Sequence, residues 1–425
     1  MKNKFNILSI ETSCDETAAT VISCTEKSGE YQIEILSNVV ASQIEIHKKW
    51  GGVYPEMASR AHLESMIPVL QESLTPFLEI KNQKLPVSAD GHRSRLGRAQ
   101  TEAEVGKIKN KPLIRNSKFL IRDHIDAIAV TNGPGLIGSL LMGVETAQIL
   151  ASYFNKPIVP INHLEGHIYA AFAASNSKQI CDRVQPLPDF MQGLNPYIKI
   201  PKTGIFPILA LIVSGGHTSL VLMDKHLSYK TVGQTIDDAA GEAFDKVARI
   251  LDLGYPGGPA IEKLAKSGNP NSYDLPIAML DRKNLDFSFS GLKTAVLYLV
   301  NPPQQIHKSS KNHSQILKNI RIRKADVAAS FQRTVAEILT KKTIQAVRKY
   351  DPKTVILTGG VSANQYLRDH FAKEISKTTS AQILIPPKNL STDNALGIAL
   401  AGAIKYSNNQ SAHWSEVEAK ANLKI

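Results

Sequence analysis

A strand–turn–strand pattern occurs twice in this chain, about 200 residues apart, and that echo limits the fold more than any other feature. Asn6 to Ile22 runs apolar through Ile7-Leu8-Ser9-Ile10, crosses a small polar turn at Thr12-Ser13-Cys14-Asp15, and turns apolar again through Ala18-Ala19-Thr20-Val21-Ile22. Pro207 to Leu222 repeats the plan, with Ser214-Gly215-Gly216-His217 at the turn. Short apolar runs bounded by small polar residues predict hairpins. Each turn would offer backbone N–H groups to an anion. A third run, Thr354-Val355-Ile356-Leu357-Thr358, ends in Gly359-Gly360-Val361-Ser362-Ala363-Asn364 and enters a helical pattern. A fourth, Ile383-Leu384-Ile385, leads through Ser391-Thr392-Asp393-Asn394 into an Ala-rich helix reaching about Ile404. Helical periodicity at about 55–78 and 144–154 fills the space between the repeats.

Strands alternating with helices predict an α/β fold, and the echo predicts internal duplication. A duplicated α/β chain is expected to place its ligand where the halves meet. The expected division is a first lobe over 1–150, a second over 151–390, a closing helix over 391–406 and a tail over 407–425. Polar, Pro- and Gly-rich stretches at 81–118, 176–204 and 302–316 read as insertions.

With 425 residues the chain suits two domains. Its hydrophobic fraction of 43% is globular, and no run approaches the apolar length a membrane span needs. The start of the chain fits neither a signal nor a transit peptide. Three cysteines, Cys14, Cys24 and Cys181, point to a reducing compartment, so the expected location is the cytoplasm. The net charge of +12 is concentrated: 81–118 carries +7 and 302–324 carries +6, leaving the rest at −1. Such segments suit a polyanion such as nucleic acid, or are solvated surface insertions.

His163-Leu164-Glu165-Gly166-His167 sets two imidazoles four residues apart on one helical face, a spacing that grips a metal ion. Glu165 falls roughly 200° around the helix from His163, which disfavours the arrangement of a zinc protease. Two histidines sharing a surface face is the plainer reading. The third ligand is expected at Asp393, where a helix begins; the competing role there is an N-cap. Ile212-Val213-Ser214-Gly215-Gly216 matches a phosphate-cradling turn, or simply a turn. Asp237-Asp238-Ala239-Ala240-Gly241-Glu242-Ala243-Phe244-Asp245 places four acids on a predicted helix, most of them on a solvated face. Asp245, with Gly257-Gly258, suits a ribose, and Asn364 suits an adenine or ribose.

Taken in order, these motifs resemble one family. They run from Ser9-to-Thr17 and Gly51-to-Arg60 through Asn132-to-Leu136, His163-to-His167 and Val213-to-Thr218. Asp237-to-Lys246, Asp286-to-Thr294, Gly359-to-Asn364 and Thr392-to-Asn394 complete the series. The family is the bacterial-type catalytic subunit of tRNA N6-adenosine threonylcarbamoyltransferase, also known under the older name O-sialoglycoprotein endopeptidase. The resemblance implies the two-lobed fold of actin, sugar kinases and heat-shock chaperone ATPases (ASKHA). It implies transfer of threonylcarbamoyl from threonylcarbamoyl-AMP to N6 of the adenosine 3′ of the anticodon, in tRNAs reading codons that begin with A. It further implies one divalent metal, Fe2+ or alternatively Zn2+, on His163, His167 and Asp393. The adenylate would be held by Ile212, Val213, Ser214, Gly215, Gly216, Asp245, Gly258 and Asn364. Glu262 stands where relatives carry Asp and stays outside that set. Expected partners are tRNA, an inactive paralogous subunit (TsaB type) and a small ATPase (TsaE type). No side chain declares itself a general base.

Two other readings use the same fold. A small-molecule kinase needs a carboxylate base and Mg2+ held mainly by phosphates and water, and has no use for the paired histidines. A non-catalytic actin-like partner would lack the His/His/Asp set altogether.

Overall fold

The computed structural model describes residues 3–78, 120–174, 196–277, 279, 284–302 and 322–425. The basic segment 81–118 lies outside the described residues, as do most of 176–204 and of 302–324. The chain forms two compact units. The first comprises Met1–Gln43, Tyr54–Thr203 and Asp393–Ile425; the second comprises Ile44–Val53 and Gly204–Thr392.

This division departs from the expected boundaries at 150 and 390, and strand pairing supplies the reason. In the first unit β1 (Lys4–Glu11), β2 (Glu16–Glu26) and β3 (Glu30–Ser42) form an antiparallel meander. Strand β4 (Ala127–Gly133) pairs parallel with β1, and β5 (Ile158–Asn162) pairs parallel with β4. Residues beyond 150 therefore complete the first sheet, ordered β5-β4-β1-β2-β3-β6 with β6 at Tyr197–Pro201. Being central, β1 buries both faces, with Ile7, Leu8 and Ile10 all inaccessible.

Helices α1 (Pro55–Ser73) and α2 (Ile137–Phe154) cover this sheet, packing Met66, Val69, Val144 and Ala147 against Leu8, Ile10 and Val21. The last helix of the chain also belongs to the first unit. Its Ala-rich face packs against β1 and β2, which is why 393–425 leaves the second unit. The expected tail is a strap. Ala412 bridges to Ile158, the Lys420 N–H donates to Asn132 O (2.7 Å), and the Gly135 N–H donates to Ala421 O (3.1 Å).

In the second unit β7 (Ile208–Val213), β8 (Thr218–Lys225) and β9 (Ser228–Gln234) form the matching meander. Strands β10 (Thr354–Thr358) and β11 (Gln382–Leu384) add in parallel beside β7. The order β11-β10-β7-β8-β9 reproduces the β5-β4-β1-β2-β3 order of the first sheet. Both predicted hairpins are thus the first two strands of a repeated βββ plus parallel ββ plan.

Between β9 and β10 lie α4 (Ala240–Ile250), α5 (Gly257–Ala265), α6 (Ser290–Val300) and the 27-residue α7 (Lys324–Tyr350). Ala328, Phe331, Val335, Ile338 and Leu339 recur at helical spacing on α7 and are buried, with Phe331 edge-on to Phe244 at 5.1 Å. Helix α8 (Gln365–Ser376) follows β10. Asp237 and Asp238 precede α4, which corrects the expectation of four acids on one helix. Among the described residues no helix is long and apolar enough to cross a membrane.

Candidate functional site

Helix α3 (His163–Ala170) starts directly at the end of β5. Asn162 caps it: Leu164 N–H donates to Asn162 Oδ1 (2.9 Å), while the Asn162 N–H donates to Glu165 Oε2 (3.1 Å). This capping box turns Glu165 back on its own helix, and Lys405 Nζ sits 2.6 Å from the same oxygen. Glu165 therefore pairs across to helix α9 (Ala395–Ser407) and takes no place among the imidazoles.

Helices α3 and α9 cross with their backbones almost touching, and glycine is what permits it. A Cβ on Gly397 would lie 2.1 Å from Gly166 O, and one on Gly166 would lie 2.4 Å from Ile398 Cδ1. Gly166 stands between the two histidines, so the crossing fixes the start of α9 beside them. Asn394, not Asp393, caps α9, accepting from Leu396 N–H at 3.0 Å. The competing N-cap role is thereby taken by the neighbour, and Asp393 is left to face the rings.

His163 Nε2 lies 3.5 Å from Asp393 Oδ1 and His167 Nε2 lies 3.4 Å from it. One ligand atom from each residue falls within 4.8 Å of the others. Around a tetrahedral ion with bonds of about 2.0–2.1 Å, neighbouring ligand atoms stand about 3.3 Å apart, so the spacing fits a cation between them. Both histidines are buried, and the Asp393 side chain is 18% exposed, which leaves one open side.

Charge points the same way. Burial works to lower the His163 pKa, but the carboxylates of Asp393 and Glu11 prevail and raise it to about 9. Burial also opposes ionisation of Glu11. The His163 ring and hydrogen bonds from His163, Thr131 and Ser13 outweigh it and hold Glu11 well below the usual carboxylate range. Asp393 is raised to about 6, chiefly by burial, against the pull of His163. A positive charge between two carboxylates is what this buried site demands, and two imidazoles plus one carboxylate suit Fe2+ or Zn2+. The residues fit such an ion.

The predicted adenylate residues all lie in the second unit, where backbone dominates. Ile212 and Val213 are core side chains, so only their backbone is available to a ligand. The turn beyond them is closed by Ser214 N–H to His217 O (2.8 Å) and by His217 N–H to Ser214 Oγ (3.1 Å). Gly215 and Gly216 are exposed, and a Cβ on either would meet nothing within 4 Å. Helix α4 starts against this turn, with Gly241 N–H 3.3 Å from Ser214 O. Gly359, at φ +90°, closes in from β10, where a Cβ would lie 2.5 Å from Val213 O.

Asp245 Oδ1 accepts from Gly257 N–H at 2.8 Å, which places open Gly258 beside it. Asn364 caps α8 through Leu367 N–H (3.0 Å) and donates to Gln332 Oε1 (2.8 Å), so both ends of its amide have protein partners. Glu262, left outside the set, accepts from Gln365 N–H at 2.9 Å and ties α5 to α8.

Glu11, Ser13 and Thr131 stand behind His163, and nothing in the sequence assigns them there. Ser13 N–H reaches Glu11 across two positions, but the contacts that bring Thr131 and His163 to Glu11 span 120 and 152 positions, and no local pattern announces them. Gly166 is a usable signal, because a glycine between two candidate ligands marks a close helix crossing.

A family model described as "TsaD: tRNA N6-adenosine threonylcarbamoyltransferase" matches residues 34–84, 114–182 and 191–400. The chain belongs to this family. A tRNA N6-adenosine threonylcarbamoyltransferase from Thermosipho africanus is 40% identical over 419 residues, 99% of each chain. One of the same name from Bacillus subtilis is 41% identical over 400 residues, covering 94% of this chain and 90% of its own. One from Staphylococcus aureus is 42% identical over 400 residues, covering 94% and 91%. Between 34 and 400 the family match omits 85–113 and 183–190, inside two of the segments read as insertions, and runs through the third at 302–316. Among solved structures, full-length HypF in its phosphate- and nucleotide-bound form aligns with a TM-score of 0.49 at 12% identity, over 97% of this chain and 48% of that one.

Proposed function

We propose that this chain transfers the threonylcarbamoyl group from threonylcarbamoyl-AMP to N6 of the adenosine 3′ of the anticodon, in tRNAs reading codons that begin with A. One observation carries the reading: His163, His167 and Asp393 converge within 4.8 Å in a chain matching enzymes of that name over nearly its whole length. The repeated strand order supports the duplicated fold of actin, sugar kinases and chaperone ATPases. A kinase or a non-catalytic actin-like protein has no need of the His/His/Asp set.

The reaction joins the N6 nitrogen to the carbamoyl carbon and breaks the bond from that carbon to the phosphate oxygen of AMP. AMP departs with the bonding pair, and N6 loses one proton. A divalent ion, Fe2+ or Zn2+, held by His163, His167 and Asp393 would supply a Lewis acid for the carbonyl. Other residues bind and orient. Gly215 and Gly216, which meet no side chain, present backbone N–H groups to the phosphate. Asp245 would accept from a ribose hydroxyl, and Gly258 allows the sugar to come close. Asn364 has one amide hydrogen left for the base. Such positioning converts a sluggish encounter into an intramolecular one. The target adenine leaves its stack at low cost because the anticodon loop is single-stranded.

The expected setting is the cytoplasm, with a paralogous inactive subunit and a small ATPase as partners. Mass spectrometry of anticodon-loop nucleosides tests the reading. Cells depleted of this protein should lose threonylcarbamoyladenosine and regain it on complementation with the wild-type gene but not with His163→Ala. Unchanged modification in depleted cells would contradict the assignment.

A further inference from the structure

Glu11 belongs to a motif that the proposed chemistry leaves without a role, and its surroundings give it one. Its side chain is 1% exposed and both carboxylate oxygens are engaged. Oε1 accepts from Ser13 N–H at 2.6 Å. Oε2 accepts from Thr131 Oγ1 at 2.7 Å and lies 3.1 Å from His163 Nδ1. Ser13 Oγ is also 3.0 Å from that nitrogen. The opposite ring atom, His163 Nε2, is the one facing Asp393 Oδ1 at 3.5 Å.

We propose that Glu11 is the positioning residue of the metal centre, holding a hydrogen on His163 Nδ1 so that Nε2 is the atom offered to a divalent cation. This rests on the metal-centred reading above and deepens it. A carboxylate can only accept, so the ring nitrogen beside it must donate, and the lone pair is left on the far side. Ligating histidines are commonly oriented in this way by a second group behind them. The carboxylate is fixed in turn: Thr131 sits on β4, and Ser13 is held through its carbonyl by Leu136 N–H at 2.8 Å. Three strand ends of the first sheet thereby agree on one ring orientation. Glu11 does not join the ligands, since both its oxygens already serve donors on the near side of the ring.

Glu11→Gln should fail for a specific reason. Ser13 N–H needs an acceptor at the Oε1 position, so the amide NH2 must take the Oε2 position. There it donates to His163 Nδ1 and moves the ring hydrogen to Nε2, the metal-facing atom. The experiment titrates full-length protein with Zn2+ alone against a chromophoric chelator. It adds 15N spectra of histidine-labelled, Zn2+-loaded protein to show which ring nitrogen keeps its hydrogen.

Glu11→Gln should bind Zn2+ about 10–100-fold more weakly, as loss of an orienting partner typically does. Glu11→Asp, which keeps an acceptor, should fall between that variant and wild type. Ser13→Ala, which leaves the Glu11 acceptor in place, should lose less affinity than Glu11→Gln and keep the Nδ1 hydrogen. Wild-type affinity in a folded Glu11→Gln variant overturns the positioning role and leaves the metal reading standing. Equal losses in the Gln and Asp variants also overturn it, because packing alone would do that. If Glu11→Gln does not fold, a large loss in Ser13→Ala overturns the role by assigning it to Ser13. Equal Zn2+ binding by wild type and His163→Ala overturns both readings.

Discussion

The two candidate sites are built from opposite materials. In the first unit, charged side chains from β1, α3 and the start of α9 are buried against one another, and each is fixed by a named partner. In the second, exposed Gly215 and Gly216 offer backbone, and the only acid in the predicted set, Asp245, is already bonded to Gly257 N–H. A charge-built site should fail when a side chain is removed, whereas a backbone-built site should fail when one is added.

The largest expected effect is on the charged side. His167→Ala removes a proposed ligand and leaves Asp393 facing one ring. Transfer should fall by on the order of 10³-fold, the scale of several kcal/mol of lost charge stabilisation, while calorimetry shows the second unit melting as before. Next comes Gly359→Ala. Its new Cβ would meet Val213 O at 2.5 Å from a backbone at φ +90°, so a loss of about 2–4 kcal/mol is expected. Nucleotide binding should disappear and Zn2+ binding should persist.

Gly215→Ala sharpens the contrast, because its Cβ meets nothing within 4 Å. Stability should stay within about 0.5 kcal/mol, and AMP affinity should drop about tenfold, or 1.4 kcal/mol, by isothermal titration. Equal destabilisation by both glycine variants would break the distinction between packed and ligand-facing glycines.

The smallest effect concerns Asp237, which accepts from Phe289 N–H (2.8 Å), Ser288 Oγ (2.5 Å) and Ser290 Oγ (2.8 Å) at the start of α6. Burial works to raise its pKa, but those hydrogen bonds prevail and lower it from 3.8. A lowered folded pKa means a contribution fully present above pH 3.8 that is lost as pH falls through the folded value. Asp237→Ala should cost about 1 kcal/mol at neutral pH, the scale of lost hydrogen bonds at an exposed carboxylate, and the difference should shrink in acid below 3.8 when denaturation is followed against pH.

The same contrast explains what the sequence disclosed. Both hairpins are legible because Ile7-Leu8 and Ile208-Leu209 open apolar runs beside small polar turns. The His163/His167 pair is legible because metal spacing is a local property of a helix. Asp393 is harder, since its distinction from a cap depends on Asn394 taking that role. The unit boundaries escape the sequence because β5 pairs with β4 and α9 packs on β1 and β2, contacts made between segments distant in the chain. Thr131, 120 positions from Glu11, carries no local mark of its hydrogen bond.

If His163, His167 and Asp393 hold one divalent ion, X-ray absorption at the metal edge of Zn2+-loaded protein should report those three side chains around it. The account predicts one ion per chain, bound by two imidazole nitrogens and a carboxylate oxygen, and released when His163, His167 and Asp393 are all replaced by alanine. An unchanged spectrum and stoichiometry in that triple variant would contradict it.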